Sequence, residues 1–288
     1  MDAVIGTAVS SDCEAVHPGY GLLAERADFA ARVADAGLTF VGPRVEHLQL
    51  FGDKVRARAA AKAVDVPVLA GIDAAVSLDE ARAFLNGLGQ GTSMLLKAVA
   101  GGGGRGTGVV QDEDQLERTF ERCTREATAA FGIGELFVEE FLPNARHIEV
   151  QILGDAVGTV THLHERECSV QRRYQKLIEI APAPHLAPSL REALVDAALR
   201  LARSVEYTNL GTFEFLVSGE RYAFIEANAR LQVEHTVTEA VTGVDLVQAQ
   251  LGVAGGATLA ALGLEETPKP RGYAIQTRGN LETLTADG

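Results

Sequence analysis

The chain has 288 residues, a formal net charge of −13 and 47% hydrophobic residues, so it is long enough for two or three domains with sizeable cores. This acidic balance argues against a nucleic-acid or acidic-membrane partner, because those surfaces favour broad neutralisation by lysine and arginine. The three cysteines are well separated, which argues against a disulfide framework. No basic segment precedes an apolar stretch at the start and no apolar run could span a bilayer, so we predict a cytoplasmic protein.

The first part of the chain alternates predicted strands and helices. "EAVHPGYG" predicts a short strand followed by a glycine-rich turn, apolar residues then recur at helical spacing, and "LTFVGP" predicts a second strand. This order is typical of a parallel sheet. The stretch 45–64 predicts one or two helices, with Gly52 as a break. We therefore expect a partial N-terminal α/β domain at residues 1–52 and a helical linker at 53–70.

The remaining chain predicts two further domains. Residues 71–142 contain a helix near Leu78, the strand "MLLKAVA", a glycine loop, the strand "GVV", a polar helix and the strand "LFVEEFL", which together predict a small hairpin lid. Residues 143–288 alternate as antiparallel strands around the amphipathic helix "PSLREALVDAALRLARSV". The predicted fold class is α/β with an α+β lid.

The glycine loop after Lys97 predicts a phosphate-binding flap. Gly101, Gly103 and Gly106 match G-x-G-x-x-G, but a Rossmann loop leads directly into a helix and a P-loop places its lysine after the glycines. Here the lysine precedes the loop and the following "GVV" is strand-like. The glycine amides would therefore cover phosphates as a flexible flap. A solvent-exposed linker is the alternative interpretation.

The segment "GTFEFLVSGERYAFIEAN" predicts a metal site on a hairpin. A turn centred on Glu220 places Glu214 opposite Glu226, and the alternation of strand side chains puts Asn228 on the same face. Two facing carboxylates in apolar surroundings repel each other, and a cation such as Mg²⁺ relieves that repulsion. A solvated face of an edge hairpin is the alternative.

Charged residues next to this hairpin predict an oxyanion site. Arg230 and Glu234 could hold a small oxyanion and accept its proton, with surface salt-bridging as the alternative. The run "ERECSVQRRYQK" gives a local positive patch in an acidic protein, formed by Arg166, Arg172, Arg173 and Lys176. From the residues alone, His147 on the strand "RHIEVQ" is interpreted as a structural histidine.

A set of motifs in this order resembles the biotin carboxylase family, the ATP-grasp component of acetyl-CoA, propionyl-CoA and other biotin-dependent carboxylases. The motifs are "HPGYGLLAERADFA", "FGDK", "LLKAVAGGGGRG", "PNARHIEVQILGD", "ERECSVQRR", "GTFEFL" and "IEANARLQVEHTVTEAVTGVDLV". The resemblance implies an ATP-grasp fold with a partial N-terminal parallel α/β domain, a small glycine-flap lid domain and an incomplete C-terminal antiparallel-sheet domain.

The resemblance also implies a reaction, in which ATP phosphorylates bicarbonate to carboxyphosphate and the released CO₂ is captured by biotin on a carrier protein. The implied cofactors are ATP and Mg²⁺ or Mn²⁺, with biotin as carrier-bound substrate. The nucleotide-contacting residues would be Lys54, Lys97, Gly102, Gly103, Gly104, Glu139, Leu142, His147 and Gln171. The bicarbonate-binding residues would be Lys176, Arg230, Gln232 and Val233, with Glu234 as base and Arg278 stabilising the biotin enolate. The metal ligands would be Glu214, Glu226 and Asn228.

The resemblance leaves part of the system outside this chain. The family's first strand–helix unit and the region after Arg278 are missing, so we expect a fragment of a longer enzyme, and Gly279 would loosen the strand that carries Arg278. No methionine is followed by lysine, so biotin must come from a separate carrier, with a carboxyltransferase as the further partner and a homodimer as the usual assembly. The alternatives are a carbamoyl-phosphate synthase-like ATP-grasp ligase and a nucleotide-binding module without turnover.

Overall fold

The computed structural model describes residues 1–72, 74–89, 91–99, 106–172 and 175–279. The chain forms two compact units. The first comprises Met1–Val66, His147–Phe215 and Glu226–Gly288, and the second comprises Pro67–Arg146 with Leu216–Ile225. The domain boundaries expected at residues 52, 70 and 142 stay a prediction.

The N-terminal part of the first unit is a small helical layer around two paired strands. Its elements are α1 (Asp2–Ser10), β1 (Ala15–Val16), α2 (Ala27–Asp35), β2 (Thr39–Phe40), α3 (Val45–Phe51) and α4 (Lys54–Ala63). The strands are parallel, as predicted. Asp53 separates α3 from α4 because its carboxylate accepts hydrogen bonds from the amides of Val55 and Arg56 and so caps α4. The stretch 45–64 therefore forms two helices.

The second unit is a four-stranded sheet packed on two helices. Its elements are β3 (Gly71–Ile72), α5 (Leu78–Gly87), β4 (Ser93–Ala98), β5 (Gly108–Val110), α6 (Glu113–Phe131) and β6 (Leu136–Phe141). The strand order is β3-β6-β4-β5 and every neighbouring pair is antiparallel. Met94 and Leu96 alternate into the core with Leu116 of α6. The predicted strand–loop–strand hairpin is therefore present as β4 and β5.

A larger sheet follows in the chain. Its strands are β7 (Arg146–Gly154), β8 (Val160–Arg172), β9 (Gln175–Ala181), β10 (Asn209–Ser218), β11 (Arg221–Asn228) and β12 (Ala274–Thr277). Their order is β11-β10-β7-β8-β9-β12. The helices of this region are α7 (Pro188–Ser204), α8 (His235–Thr242) and α9 (Leu246–Ala254). Within the described residues, no helix has the length and apolar character needed to cross a membrane.

The central strand β7 is buried on both faces, and the two faces differ. Ile148, Val150 and Ile152 alternate with Glu149 and Gln151, and all five side chains are buried. Because successive strand residues point to opposite faces, one face of β7 is apolar and the other carries a buried carboxylate and a buried amide. Buried polar groups need partners, so the polar face determines where a functional site can form.

Tyr207, two residues before β10, is a buried and tightly packed side chain. Its ring is fully buried against Phe51 and Phe213, and its hydroxyl donates a hydrogen bond of 2.9 Å to the carbonyl oxygen of Leu210. A Cβ atom at Gly154 would overlap the backbone carbonyl of Tyr207, and one at Gly211 would overlap its hydroxyl. Both glycines are therefore required by close approach.

We expect Gly154→Ala to destabilise the protein by about 3 kcal/mol, because the opposing atom is a backbone carbonyl that cannot move aside. Gly6→Ala is the matched control, since Gly6 lies inside α1 with open space around it and alanine there favours the helix by about 0.5–1 kcal/mol. Urea unfolding of both variants measures the difference. Equal stabilities for the two variants would contradict the packing argument.

Candidate functional site

Three buried carboxylates converge on one ammonium group. Lys176 on β9 places its Nζ 2.5 Å from Oε2 of Glu149, 2.9 Å from Oε1 of Glu214 and 2.8 Å from Oε1 of Glu234. Glu149 lies on β7, Glu214 lies on β10 and Glu234 precedes α8. The side chain of Lys176 is 12% exposed and those of the three acids are 3% or less. The sheet therefore assembles a nearly dry charge cluster from distant parts of the sequence.

The charges of this cluster hold one another ionised. Burial by itself lowers the pKa of Lys176, but the charges of Glu149 and Glu214 outweigh it, so this pKa is raised above its usual value. Burial likewise raises the pKa of Glu214, but Lys176 and the hydrogen bond from His147 hold it well below its usual range. The pKa of Glu149 is also lowered, because Arg166 and Lys176 overcome the burial. These groups are therefore fixed charges near neutral pH.

His147 is part of this cluster. Its Nε2 lies 2.5 Å from Oε2 of Glu214. Burial lowers the pKa of His147, but the hydrogen bond and the charge of Glu214 outweigh it and raise that pKa. On the other side of the ring, Nδ1 lies 3.0 Å from Nε2 of Gln171. The structure thus places His147 and Gln171 side by side, and His147 has a specific carboxylate partner as well as a structural position on β7.

Arg278 joins the cluster from the end of the described chain. Its Nη2 lies 2.5 Å from Oε2 of Glu234, and its Nε lies 2.7 Å from Oε1 of Glu179. Glu179 lies fully buried on β9, and burial raises its pKa against the opposing effect of Arg278. Each oxygen of Glu234 therefore faces a cation, Lys176 on one side and Arg278 on the other.

The predicted metal residues are partly brought together. Oε1 of Glu214 accepts hydrogen bonds from Nδ2 of Asn228 at 2.7 Å and from Nε2 of Gln232 at 2.9 Å. Glu226 is half-buried, with its Oε2 3.4 Å from Nζ of Lys54. Two carboxylates and an amide oxygen are hard donors of the type that Mg²⁺ accepts, and Glu214 is held in the ionised form that a ligand needs. The chemistry of this donor set therefore suits a divalent cation, and the three residues stay a prediction as its ligands.

Two other groups of potential ligand atoms lie close together in the described part of the chain, one formed by His147, Glu149 and Glu214 and one by Glu149, Cys168 and Glu234. Both share Glu149, whose two oxygens already face Arg166 and Lys176. Burial also raises the pKa of the Cys168 thiol well above its usual value, whereas a metal ligand must be a thiolate. Glu214 of the hairpin is also contacted by Lys176 and His147, so the choice of the hairpin residues as metal ligands stays a prediction.

The remaining predicted oxyanion residues lie around the same cluster. Nη2 of Arg230 donates to Oδ1 of Asn228 at 2.9 Å, and Nε of Arg230 lies 3.0 Å from Oε2 of Glu25. The carbonyl oxygen of Val233 accepts a hydrogen bond of 3.3 Å from Gln276. The loop between β11 and α8 thus holds Arg230, Val233 and Glu234 in the first unit.

The second unit carries the other predicted nucleotide residues. Nζ of Lys97 on β4 lies 2.5 Å from Oε2 of Glu139 on β6, and β4 and β6 are antiparallel neighbours. Leu142 follows β6 and is buried. The three glycines predicted to cover phosphates, Gly102, Gly103 and Gly104, lie outside the described residues.

The four residues of the predicted positive patch at 166–176 are not all alike. Arg166 is fully buried and Lys176 is nearly so, Arg172 is exposed, and Arg173 lies outside the described residues. Arg166 and Lys176 both pair with Glu149, for which the sequence predicts no role although it follows His147 by two residues on the same strand. Glu179 was also missed. Its signal would have been a carboxylate alternating with apolar residues on a predicted strand.

Comparison with known proteins decides the family. Residues 53–262 match the family described as "Carbamoyl-phosphate synthase L chain, ATP binding domain", and residues 1–48 match "Biotin carboxylase, N-terminal domain". The chain belongs to the biotin carboxylase family. The resemblance found in the sequence is thereby confirmed.

Several relatives give the scale of the match. Mitochondrial pyruvate carboxylase of Homo sapiens is 53% identical over 283 residues, covering 97% of this chain and 24% of the relative. Pyruvate carboxylase of Staphylococcus aureus is 46% identical over 290 residues, covering 98% of this chain and 25% of the relative. The chain therefore spans about a quarter of the length of these curated relatives.

Solved structures support the fold. A biotin carboxylase complex from Campylobacter jejuni matches with a TM-score of 0.86 at 41% identity, covering 96% of this chain and 61% of that one. The biotin carboxylase domain dimer of 2-oxoglutarate carboxylase from Hydrogenobacter thermophilus, in complex with MgADP, ADP and bicarbonate, matches with a TM-score of 0.84, 41% identity and the same coverage. The predicted ATP-grasp fold, with mixed helices and antiparallel sheets, is confirmed.

We expect Lys176→Gln to destabilise this biotin carboxylase chain by about 3 kcal/mol at pH 8, because it removes the one ammonium group that three buried carboxylates share. Without the ammonium, burial raises the pKa of Glu149 and Glu214, and a carboxyl group whose folded-state pKa is raised loses stability as the pH rises. The difference in unfolding free energy between wild type and variant should therefore grow from pH 5 to pH 8 in urea titrations.

Lys54→Gln is the control for that experiment, because the Lys54 side chain is 72% exposed beside Glu226. An exposed ion pair contributes little, so this variant should track the wild type at both pH values. A deficit for Lys176→Gln that is the same at pH 5 and pH 8 would contradict the charge-compensation argument.

Proposed function

We propose that this chain catalyses the ATP- and bicarbonate-dependent carboxylation of biotin on a separate carrier, as the biotin carboxylase component of a biotin-dependent carboxylase. The observation that carries the proposal is the buried cluster in which Lys176 and Arg278 face the two oxygens of Glu234. In a member of the biotin carboxylase family, such a cluster combines cations that can hold an oxyanion with a carboxylate that can accept its proton.

The residues divide into binding and proton-transfer roles. Lys176, Arg230, Gln232 and the backbone of Val233 would hold bicarbonate, since they line the cluster from β9 and the β11–α8 loop. Glu234 would accept the bicarbonate proton as an oxygen of bicarbonate attacks the γ-phosphorus and ADP leaves. The product of that step is carboxyphosphate, which would break down to CO₂ and inorganic phosphate. The phosphate would take the N–H proton of the biotin ureido group as its nitrogen forms a bond to CO₂. Arg278 would then stabilise the enolate form of biotin through its fixed positive charge.

Each unit carries residues that the family resemblance assigns to the nucleotide. In the first, Lys54, His147 and Gln171 are the proposed contacts, and Glu214, Glu226 and Asn228 are the proposed ligands of Mg²⁺ or Mn²⁺. The metal would neutralise phosphate charge when bound. In the second unit the proposed contacts are Lys97, Glu139, Leu142 and the glycines at 102–104. Biotin carboxylases use ATP, Mg²⁺ and biotin, and the Hydrogenobacter thermophilus domain was solved with MgADP and bicarbonate.

The final acceptor and the assembly belong to the wider enzyme. An acyl-CoA acceptor, which the resemblance to the component of acetyl-CoA and propionyl-CoA carboxylases implies, stays a prediction, and the curated relatives named pyruvate carboxylase favour a 2-oxo acid instead. In either case a carboxyltransferase would choose the acceptor, and a biotin carrier protein or domain would deliver biotin. A homodimer is supported by the domain dimer of the Hydrogenobacter thermophilus relative. A cytoplasmic location is the one we propose.

We expect ADP release by the purified chain to require Mg-ATP and bicarbonate and to increase with free biotin. Glu234→Gln should lower the rate by about 100-fold or more, because the amide cannot accept the proton, whereas Glu192→Gln on the exposed side of α7 should not change it. A coupled assay for ADP measures both variants. Stimulation by ammonia instead of biotin would favour a carbamoyl-phosphate synthase-like ligase, and Mg-ATP binding without turnover would favour a nucleotide-binding module.

The metal assignment has its own test. Glu226→Gln should raise the Mg²⁺ concentration for half-maximal ADP release by about tenfold or more, because a charged ligand is replaced by a neutral one. The control is Glu220→Gln, the same exchange at the exposed turn of the same hairpin. Identical Mg²⁺ titrations of the two variants would remove Glu226 from the metal site.

A further inference from the structure

Arg166 is a fully buried cation with no role in the reaction proposed above. It lies on β8, and its side chain is 0% exposed. A guanidinium carries five N–H donors, and five hydrogen bonds surround this one. Nε donates to Glu149 at 2.5 Å, Nη1 to Gln151 at 2.7 Å and Thr238 at 2.9 Å, and Nη2 to Thr212 at 3.1 Å and Gln232 at 3.2 Å.

Two of these partners connect Arg166 to the proposed bicarbonate site. Gln232 is itself proposed to hold bicarbonate, and Glu149 contacts Lys176, which is also proposed to hold it. Oε1 of Glu149 accepts a hydrogen bond from Arg166 and Oε2 accepts one from Lys176, both at 2.5 Å, so the carboxylate bridges the two cations. The amide oxygen of Gln232 accepts a hydrogen bond from Arg166, and its amide nitrogen donates one to Glu214. The contact with Arg166 also fixes which way the Gln232 amide faces, because an oxygen must point at the donor.

Arg166 itself lies behind these residues, fully enclosed by protein. Its other partners, Gln151, Thr212 and Thr238, come from β7, β10 and α8. These three side chains tie the guanidinium to three separate elements, so its position is defined independently of Glu149 and Gln232. A planar fork with donors at fixed angles suits this task, and the single ammonium group of lysine does not.

We propose that Arg166 is a positioning residue for bicarbonate, acting through Glu149 on Lys176 and directly on the amide orientation of Gln232. This inference rests on the proposed function. It gives this arginine a role beyond stability, for which a buried ion pair alone is weak evidence. None of the five direct partners of Arg166 is itself among the residues proposed to contact ATP or to ligate the metal.

The test compares Michaelis constants for two substrates. In Arg166→Lys the charge is kept and the fork is lost, so KM for bicarbonate should rise by about tenfold or more, while KM for ATP stays within about twofold of wild type. The assay is ADP release at saturating ATP and free biotin with bicarbonate varied, and then at saturating bicarbonate with ATP varied. Thermal unfolding of each variant accompanies the kinetics.

Arg191→Lys is the matched control. Arg191 also pairs with a fully buried glutamate on β8, with its Nε 2.7 Å from Oε1 of Glu165. It touches none of the residues proposed to hold bicarbonate. This variant should lose stability without changing either KM, so it reports what the loss of an arginine–glutamate pair does by itself.

Thr238→Val provides the test should Arg166→Lys fail to fold. It removes one hydrogen bond to Nη1 of Arg166 and leaves the guanidinium charge beside Glu149, and it should raise KM for bicarbonate by about threefold. Unchanged bicarbonate KM in the folded variants, or equal increases for bicarbonate and ATP, would overturn the inference while the wild type stays active. A wild-type chain without bicarbonate-dependent ADP release would instead overturn the proposed function and this inference with it.

Discussion

Charge compensation around Lys176 is the constraint on which the rest of the first unit depends. Three carboxylates with at most 3% exposure meet one ammonium, and removing such charges from water is costly unless each is paired. The sheet has to bring β7, β9, β10 and the start of α8 into register to achieve that pairing. Fold and site are therefore one requirement here, since the same side chains that would do the chemistry also neutralise one another.

The central strand shows how this requirement is met in the sequence. β7 alternates apolar residues with Glu149 and Gln151, and both kinds are buried. The apolar face contributes to the core in the ordinary way, while the polar face is satisfied by Arg166 and Lys176. The second unit is built differently. In the part of it that the structure describes, β4 and β6 pack against α5 and α6 around an apolar core, and Lys97 pairs with Glu139 on adjacent strands.

Much of the secondary structure could be predicted from the sequence, because local residue patterns determine it. The paired strands around the glycine loop, the break between α3 and α4 and the hairpin carrying Glu214 all have short-range signals in turn residues and alternation. Arg166 and Lys176 could not be placed this way. The charged run 166–176 carries no local signal of burial, and both residues are buried through pairing with Glu149 on another strand. Glu179 was missed for the same reason, because its partner Arg278 lies about a hundred residues further along.

The wide separation of the residues that contact Lys176 affects how the protein folds. Its three carboxylate partners are at positions 149, 214 and 234, so a chain in which only β7, β8 and β9 have formed would satisfy one of the three contacts. Partly assembled states of this region bury charged groups that lack some of their partners. Such states are higher in free energy than both the unfolded state and the folded state. The charged cluster therefore makes formation of the sheet more cooperative than apolar contacts alone would make it.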